Sequence, residues 1–313
     1  MIVAWLAANG LALAEKKTEA VLMSSRKKVE QACVRVGSTI IRTKPAIKYL
    51  GVMMDQRLNF KAHLEYASAK ATAATAAISR MMANTGGPRQ RSRQLIAGVV
   101  TSIILYGSAV WAPAMMVSTY SRDCRSAYRR CALRVTCCFR TVSEDAALIL
   151  AGMFPLDLLA AERQSGVEVA SERRERTQWQ RRWDQAAKGR WTRRLLPQLS
   201  PWLRRRHGQM DHYLGQLLTG HGCFKQYLYR FRRADDPYCS CCGPGVDEDA
   251  EHVFFVCPRF SQERSRLGET LVEVSVDTLT DQMLADEQSW NAVAYMAASV
   301  IKELRRLERS RPN

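Results

Sequence analysis

The apolar positions in the first part of the chain change rhythm over short distances. Met1 to Leu13 carries them at helical spacing, and Glu15, Lys16 and Lys17 then mark a polar connection. Ala20 to Met23 is predicted as a strand. Val34 and Val36 alternate with polar neighbours, Gly37-Ser38 offers a two-residue turn, and Ile40 and Ile41 resume an extended run, so a hairpin is predicted. After Pro45 comes IKYLGVMM, Ile47 to Met54, in which Gly51 lets another backbone or a ligand approach closely.

From Asn59 onward the rhythm is helical. Phe60, Leu64, Ala67, Ala71, Ala74, Ile78 and Met81 recur at alternating steps of four and three, capped by Asn59 and ended by Gly86-Gly87-Pro88. The uncharged stretch Gln94 to Ser121 is long enough to raise a membrane span. Thr101, Ser102, Tyr106, Gly107 and Ser108 dilute it and Pro113 breaks it, which favours a buried core helix and no membrane partner. Tyr120 to Phe139 reads as an amphipathic helix with five Arg, Ser143-Glu144-Asp145 as a helix start, and Pro155 as the opening of a further helical stretch. Pro197 and Pro201 suggest a boundary, and 262–309 read as two closing helices. The fold class is mainly α with a small N-terminal α/β part.

Composition adds a partner class. In 313 residues, 47 Lys and Arg face 30 Asp and Glu, giving +17 and a pI near 9.7. That excess favours a polyanion, nucleic acid before an anionic membrane surface. It concentrates in Arg173 to Arg206, where 12 Lys or Arg face two acids, Glu175 and Asp184. Arg173, Arg174, Arg176, Arg181, Arg182, Lys188, Arg190, Arg193 and Arg194 are the candidate phosphate contacts, with Trp179, Trp183 and Trp191 interleaved as rings that stack on bases. The alternative is a solvated face whose tryptophans anchor it to the core. Six of the ten cysteines are scattered without the spacing of a disulfide framework, which fits a reducing compartment, cytoplasm or nucleus. The apolar N-terminus has no basic leader and is interrupted by Asn9-Gly10, unlike a signal peptide.

The other four cysteines lie in YCSCCGPGVDEDAEHVFFVCPRF, Tyr238 to Phe260. Cys239, Cys242, His252 and Cys257 form a C-x2-C-x9-H-x4-C pattern, the donor set and number of a closed tetrahedral zinc site. A close Cys pair grips the metal, Gly243-Pro244-Gly245 reverses the chain, and a short helical segment opened by Asp247, Glu248 and Asp249 brings the other two ligands. Cys241 is an alternative thiol for either member of the pair, so the ligand register stays open. No Gly-rich phosphate loop, G-x-S-x-G elbow or HExxH helix occurs. Ala234-Asp235-Asp236 mimics a polymerase metal motif, but arginines precede it, Pro237 follows, and no apolar strand flanks it. It reads as a polar lead into the Cys-His stretch.

Taken in order, these residues resemble the C-terminal part of the Pol polyprotein of non-LTR retrotransposons, and among them the arthropod elements that insert into ribosomal RNA genes. Trp5, Gly10-Leu11 and Lys17-Thr18-Glu19 resemble reverse transcriptase motif D. Tyr49-Leu50-Gly51-Val52 resembles motif E, the primer grip, and Leu58-Asn59-Phe60 with the following helix resembles the start of the thumb. Leu218-Thr219-Gly220-His221-Gly222 and the Cys-His stretch are similar to the family's C-terminal module. YLGV alone is a weak signal; the ordered set is specific.

The resemblance implies RNA-directed DNA polymerisation coupled to endonucleolytic target cleavage in the whole polyprotein. It implies four parts: the end of the palm (1–57), a helical thumb (58–170), the basic Trp-rich segment (171–206) and a zinc-knuckle module with closing helices (207–313). Lys17 would support nucleotide addition, Tyr49, Leu50, Gly51 and Val52 would hold the primer end, and the module would bind element RNA or target DNA. Structural Zn2+ would sit in the knuckle, and Mg2+ would be needed only by the intact polymerase. The carboxylates that bind it, the fingers and the nuclease domain are expected upstream of motif D, so the fragment alone is expected to be inactive. The interval between Cys242 and His252 is a little longer than the family's. The competing reading is a domesticated, non-enzymatic zinc-dependent RNA- or DNA-binding protein.

Overall fold

The computed structural model describes residues 2–26, 31–166 and 177–309. Helix α1 (Ile2–Ala8) is shorter than the rhythm of Met1 to Leu13 suggests, ending before Gly10, whose φ is 67°. The strand expected at Ala20 to Met23 does not form. Ala20 makes one isolated bridge to Thr43, its carbonyl accepting from Lys44 N at 2.7 Å, and the pairing does not continue along the run.

The first hairpin forms where the alternation places it, and the run Ile47 to Met54, where the motif E resemblance falls, folds as a second. Strand β1 (Cys33–Val36) pairs with β2 (Thr39–Arg42) around Gly37-Ser38. The Glu15 carboxylate accepts from the Ser38 N–H at 3.2 Å and the Thr39 hydroxyl at 2.8 Å, bonds that hold it below the usual carboxylate range. A Cβ on Gly37 would lie 1.9 Å from that carboxylate, so glycine is required there. Strand β3 (Ala46–Tyr49) pairs with β4 (Val52–Asp55), and the turn residues Leu50 and Gly51 both have positive φ, 44° and 87°, as a type I′ turn demands.

Asp55 joins the second hairpin to the helical body. Its carboxylate accepts from the N–H groups of Arg57, Asn59 and Phe60, and the Asn59 side chain accepts from Lys61 N at 3.0 Å; the N-cap of α2 (Lys61–Met81) is Phe60, with φ 58° and no side-chain cap bond, rather than Asn59. Leu64, Ala67, Ala71 and Ile78 of α2 bury against α3 (Gln90–Ile104) and α5 (Ser118–Val135). The uncharged stretch is not one helix: α3 and α4 (Ser108–Met115) meet at 89°. The break lies at Tyr106-Gly107, where Gly107 has φ 65° and the Trp111 indole N–H caps the Tyr106 carbonyl at 2.8 Å. No single described helix is long and apolar enough to cross a membrane.

Ser143 caps α6 (Glu144–Ala151), its hydroxyl accepting from Ala146 N, and α7 (Leu156–Ser165) follows Pro155. Residues 177–184 are helical (α8), followed by α9 (Arg190–Leu195), α10 (Leu199–Arg204), α11 (His212–Thr219) and α12 (Lys225–Arg230). The closing region holds three helices rather than two: α13 (Ser261–Gly268), α14 (Leu279–Ala285) and α15 (Glu287–Arg309). The segment between α13 and α14 is rich in valine and leaves the helix, burying Leu271 and Val276 in the core. One hydrophobic core extends from Val52 to Leu304. Trp202 of α10 packs on Trp290 of α15 with ring centroids 5.5 Å apart, and the Arg205 guanidinium lies 4.0 Å over the Trp202 ring.

Candidate metal centre and nucleic-acid interface

The Cys-His stretch folds as two arms. In the first, Tyr238 bridges Asp247, Cys239 N donates to Val246 O at 2.7 Å, and Gly243 and Gly245 turn the chain with φ near 90°. In the second, the Asp249 carboxylate accepts from His252 N at 2.8 Å and starts a helical turn. That turn widens over His252–Val256, closed by Cys257 N donating to His252 O at 2.7 Å. An i→i+5 turn is wide enough for x4 spacing to put His252 and Cys257 on one side.

The four donors converge within 4.8 Å of one another. The Cys257 sulfur lies 3.8 Å from that of Cys239 and 3.9 Å from that of Cys242. Thiolates bound at about 2.3 Å to a tetrahedral zinc stand about 3.8 Å apart. His252 Nε2 is buried with no hydrogen-bond partner, a nitrogen that a metal would satisfy. Cys241 is exposed and outside the cluster, so Cys239 and Cys242 are the pair that converges. Burial, with Cys239 adding to it, pushes the Cys257 thiol up to about 12; a dication reverses such a shift by stabilising thiolate. Arg264 donates to Cys257 O at 2.7 Å, and Arg259 to Ser240 Oγ at 2.8 Å, bracing the ligand backbone. All four positions of such a shell are filled by protein, which suits a structural ion.

Asp235-Asp236 leads into this loop. Asp236 accepts from Lys225 Nζ at 2.7 Å and from Tyr238 N at 2.8 Å, and neither carboxylate lies on a strand. Leu218 to Gly222 is likewise structural: the Thr219 hydroxyl donates to Gly215 O at 2.6 Å, and Gly220 ends α11 with φ 66°. Burial pushes His221, which contacts Thr141 at 3.0 Å, down to about 4.

The basic segment is used differently from the stacking surface expected of it. Trp179 and Trp183 are fully buried, the Trp183 indole N–H donating to Leu196 O at 2.8 Å and Trp179 packing on Phe154. Trp191 is half-buried and donates to Leu217 O at 2.7 Å. These rings anchor helices to the core, and the two buried ones present no face to a base. Arg193 donates to the carbonyls of Trp183, Asp184 and Ala186, and Arg194 pairs with Glu251 at 2.6 Å. Arg181, Lys188 and Arg190 are exposed, with no acidic partner among the described residues. Arg173, Arg174 and Arg176 lie outside the described residues.

Arg182 forms a two-pronged pair with Asp157. Burial alone would raise the Asp157 carboxyl, but the Arg182 guanidinium more than offsets it, and the carboxyl sits below its ordinary value. A depressed carboxyl contributes stability that is present above its unfolded value, near pH 4, and lost as pH falls through the folded one. Urea unfolding of wild type and Arg182→Met should therefore differ at pH 7, and the gap should shrink steadily below about pH 4.

An exposed basic patch also precedes the Cys-His stretch in the chain. Tyr229, Arg230, Phe231, Arg232 and Arg233 are all exposed at the end of α12. The available signal was YLYRFRR, cations and rings interleaved without an acid. A mainly apolar cavity of about 750 Å³ adjoins the β3–β4 turn, with Leu95, Val99 and Ile103 in its wall beside Lys48, Tyr66, Lys70 and Tyr106. Lys48 and Lys70 sit 5.0 and 4.8 Å from the Tyr66 ring centroid and hold its hydroxyl below the ordinary tyrosine value. Tyr49 and Leu50 project at the turn, 62% and 77% exposed, while Val52 is buried. Gly51 is where the Tyr106 ring passes: a Cβ would meet it at 2.6 Å, and the Tyr106 hydroxyl donates to Leu50 O at 3.1 Å. Lys17 is exposed in the Glu15–Lys17 turn.

No family model and no solved structure matches the chain. A search of curated proteins finds relatives of one kind. A retrovirus-related Pol polyprotein from type-1 retrotransposable element R1 of Bradysia coprophila is 27% identical over 284 residues, 80% of this chain and 28% of that protein. One of the same description from Nasonia vitripennis is 28% identical over 279 residues, 78% of this chain and 81% of that protein. A putative 115 kDa protein in type-1 retrotransposable element R1DM of Drosophila melanogaster is 25% identical over 332 aligned positions, 97% of this chain and 32% of that protein. The chain thus spans under a third of the Bradysia and Drosophila relatives. Over most of its length, its homologues are R1 retrotransposon Pol polyproteins, the kind of protein its ordered motifs resemble.

Proposed function

We propose that this chain serves as the C-terminal part of a retrotransposon Pol polyprotein, giving a primer grip, a helical thumb and a zinc-stabilised nucleic-acid-binding module to an RNA-directed DNA polymerase with endonuclease activity. The observation that carries the reading is relatedness to R1 Pol polyproteins along most of the chain. In it, Tyr49, Leu50, Gly51 and Val52 hold the primer end, Lys17 supports nucleotide addition, and α2 to α7 form the thumb. The geometry is compatible: the Tyr106 hydroxyl donates to Leu50 O in the turn, which holds its exposed tip beside the cavity that Lys48 and Lys70 line. Cys239, Cys242, His252 and Cys257 hold a structural zinc that fixes the module.

Exposed apolar side chains gather in the first 58 residues, among them Trp5, Met23, Ile40 and Leu50. Such a surface suits the upstream polymerase and nuclease domains of the same polyprotein as its partners. Element RNA and target DNA are the nucleic acids, met in the cytoplasm and nucleus. Asp235-Asp236 supplies no two-metal site, so the isolated chain should give no primer extension with magnesium; robust incorporation would refute the assignment of polymerisation to upstream carboxylates.

The patch at the end of α12 replaces the buried tryptophans as the stacking surface of the module. The double variant R232A/R233A should weaken binding of single-stranded RNA and lower the slope of log affinity against log salt by about 1.4, two contacts at about 0.7 each. Binding indistinguishable from wild type in a salt titration would remove this surface from the interface.

A further inference from the structure

Helix α2 separates two unlike cavities. His63, Tyr66, Ala67 and Lys70 line the one beside the β3–β4 turn, whereas Thr72, Thr75, Ala76 and Ser79 line another. At about 100° per residue the two sets centre on opposite sides of the helix. The second is a groove of about 450 Å³, closed across from α2 by α5 and the residues that follow it. Its cations are Arg130, Arg134 and Arg140, and no carboxylate lines it.

Three features mark this groove as more than a solvated surface. Among the described residues the side-chain partners of Arg130 and Arg134 are neutral: Arg130 donates to the Thr72 hydroxyl at 3.1 Å and Arg134 to the Asn84 side-chain oxygen at 3.5 Å. Arg130 and Arg134 stand one turn apart on α5, about 6 Å between their Cβ atoms, so two cations face the groove side by side. At its floor Thr75 is only 4% exposed, and its hydroxyl has no hydrogen-bond partner among the described residues. A helical threonine ordinarily bonds back to the carbonyl four residues earlier, and a buried hydroxyl left alone is costly. Cys138, also lining the groove, is a neutral thiol, since burial pushes it up to about 12. Positive charge, neutral donors and no competing anion describe a site for phosphate oxygens.

We propose that the groove between α2 and α5 binds backbone phosphates of a nucleic-acid strand, with Arg130, Arg134 and Arg140 as its cations and Thr75 as the donor at its floor. The volume exceeds what one phosphate fills and falls in the range of an extended ligand. This site rests on the nucleic-acid reading above but lies on a different face from both the β3–β4 cavity and the α12 patch.

Salt-titrated binding of labelled poly(U) to the full chain tests it, using wild type, R130A/R140A, T75V and R232A/R233A. The groove variant R130A/R140A should lower the salt slope by about 1.4. Thr75→Val should weaken binding by about tenfold, the loss of one hydrogen bond to an ionised acceptor, while its melting temperature stays equal to or above that of wild type because a buried unpaired hydroxyl is gone. If neither variant changes RNA binding but R232A/R233A does, the groove proposal falls and the nucleic-acid reading stands. If wild type binds no RNA, both fall. Calorimetry with inorganic pyrophosphate adds one arm: pyrophosphate binding that R130A/R140A abolishes, with RNA affinity intact, makes the groove a small-anion site and overturns the strand assignment.

Discussion

Replacing Cys257 by serine is expected to remove the metal from the protein and unfold its C-terminal module. Purified under reducing conditions, wild type should carry about one zinc per chain, the complement of a closed four-donor shell. Cys257→Ser should carry none, because Cys257 is the sulfur shared by both short S···S distances and sits fully buried between the two arms. Structural zinc sites contribute on the order of 10 kcal/mol to the folding of small modules. Chelation should therefore release the arms at Tyr238–Asp247 and His252–Val256 and expose Phe254 and Phe260, both buried in wild type. Elemental analysis and dye binding to exposed apolar surface are the readouts. Metal-free wild-type protein with an unchanged melting temperature would defeat the assignment. Cys241→Ser serves as the contrast and should keep its zinc, since that thiol is exposed and outside the cluster.

The second large effect is expected at Trp183. Its ring is fully buried and its N–H satisfies the Leu196 carbonyl, so Trp183→Ala should cost about 3–5 kcal/mol in urea unfolding. The variant leaves a cavity and an orphaned carbonyl between α8 and α9. A role in stacking on bases makes the opposite forecast: near-native stability with lost RNA affinity. Trp183→Phe separates the two further, because it keeps most of the packing while removing the N–H, and should recover most of the stability.

Local physics explains what was legible along the chain. The first hairpin follows from alternation plus turn residues, the second falls where the chain resembles motif E, and Gly37 and Gly51 sit where a side chain would collide with Glu15 and Tyr106. Ser143 caps its helix as its neighbours Glu144 and Asp145 suggest. Other readings failed for equally physical reasons. Ala20 to Met23 has strand-like residues, but beyond the single bridge from Ala20 to Thr43 no ladder forms. The run from Gln94 to Ser121 is evenly uncharged, and nothing in hydropathy marks the 89° corner at Tyr106-Gly107. The corner exists because Gly107 passes Val52, with 2.8 Å between a Cβ there and the valine methyl, a contact between distant parts of the chain.

The metal cluster and the basic segment show the same division at the candidate site. C-x2-C, a glycine turn and H-x4-C are short-range constraints, so the donor set and the two arms can be read from spacing. Choosing Cys242 over Cys241 required the fold, because only the folded loop shows which of two adjacent thiols turns inward: Cys242 joins the cluster and Cys241 is exposed. Net charge is a sum over residues and was visible at once. Whether a given arginine meets solvent, a carbonyl or a carboxylate depends on neighbours far along the chain: Arg182 meets Asp157, and Arg194 meets Glu251. The tryptophans illustrate it most plainly. Interleaved with arginines they have the composition of a stacking surface, yet burial of so much apolar area outweighs any local pattern, and the core takes them.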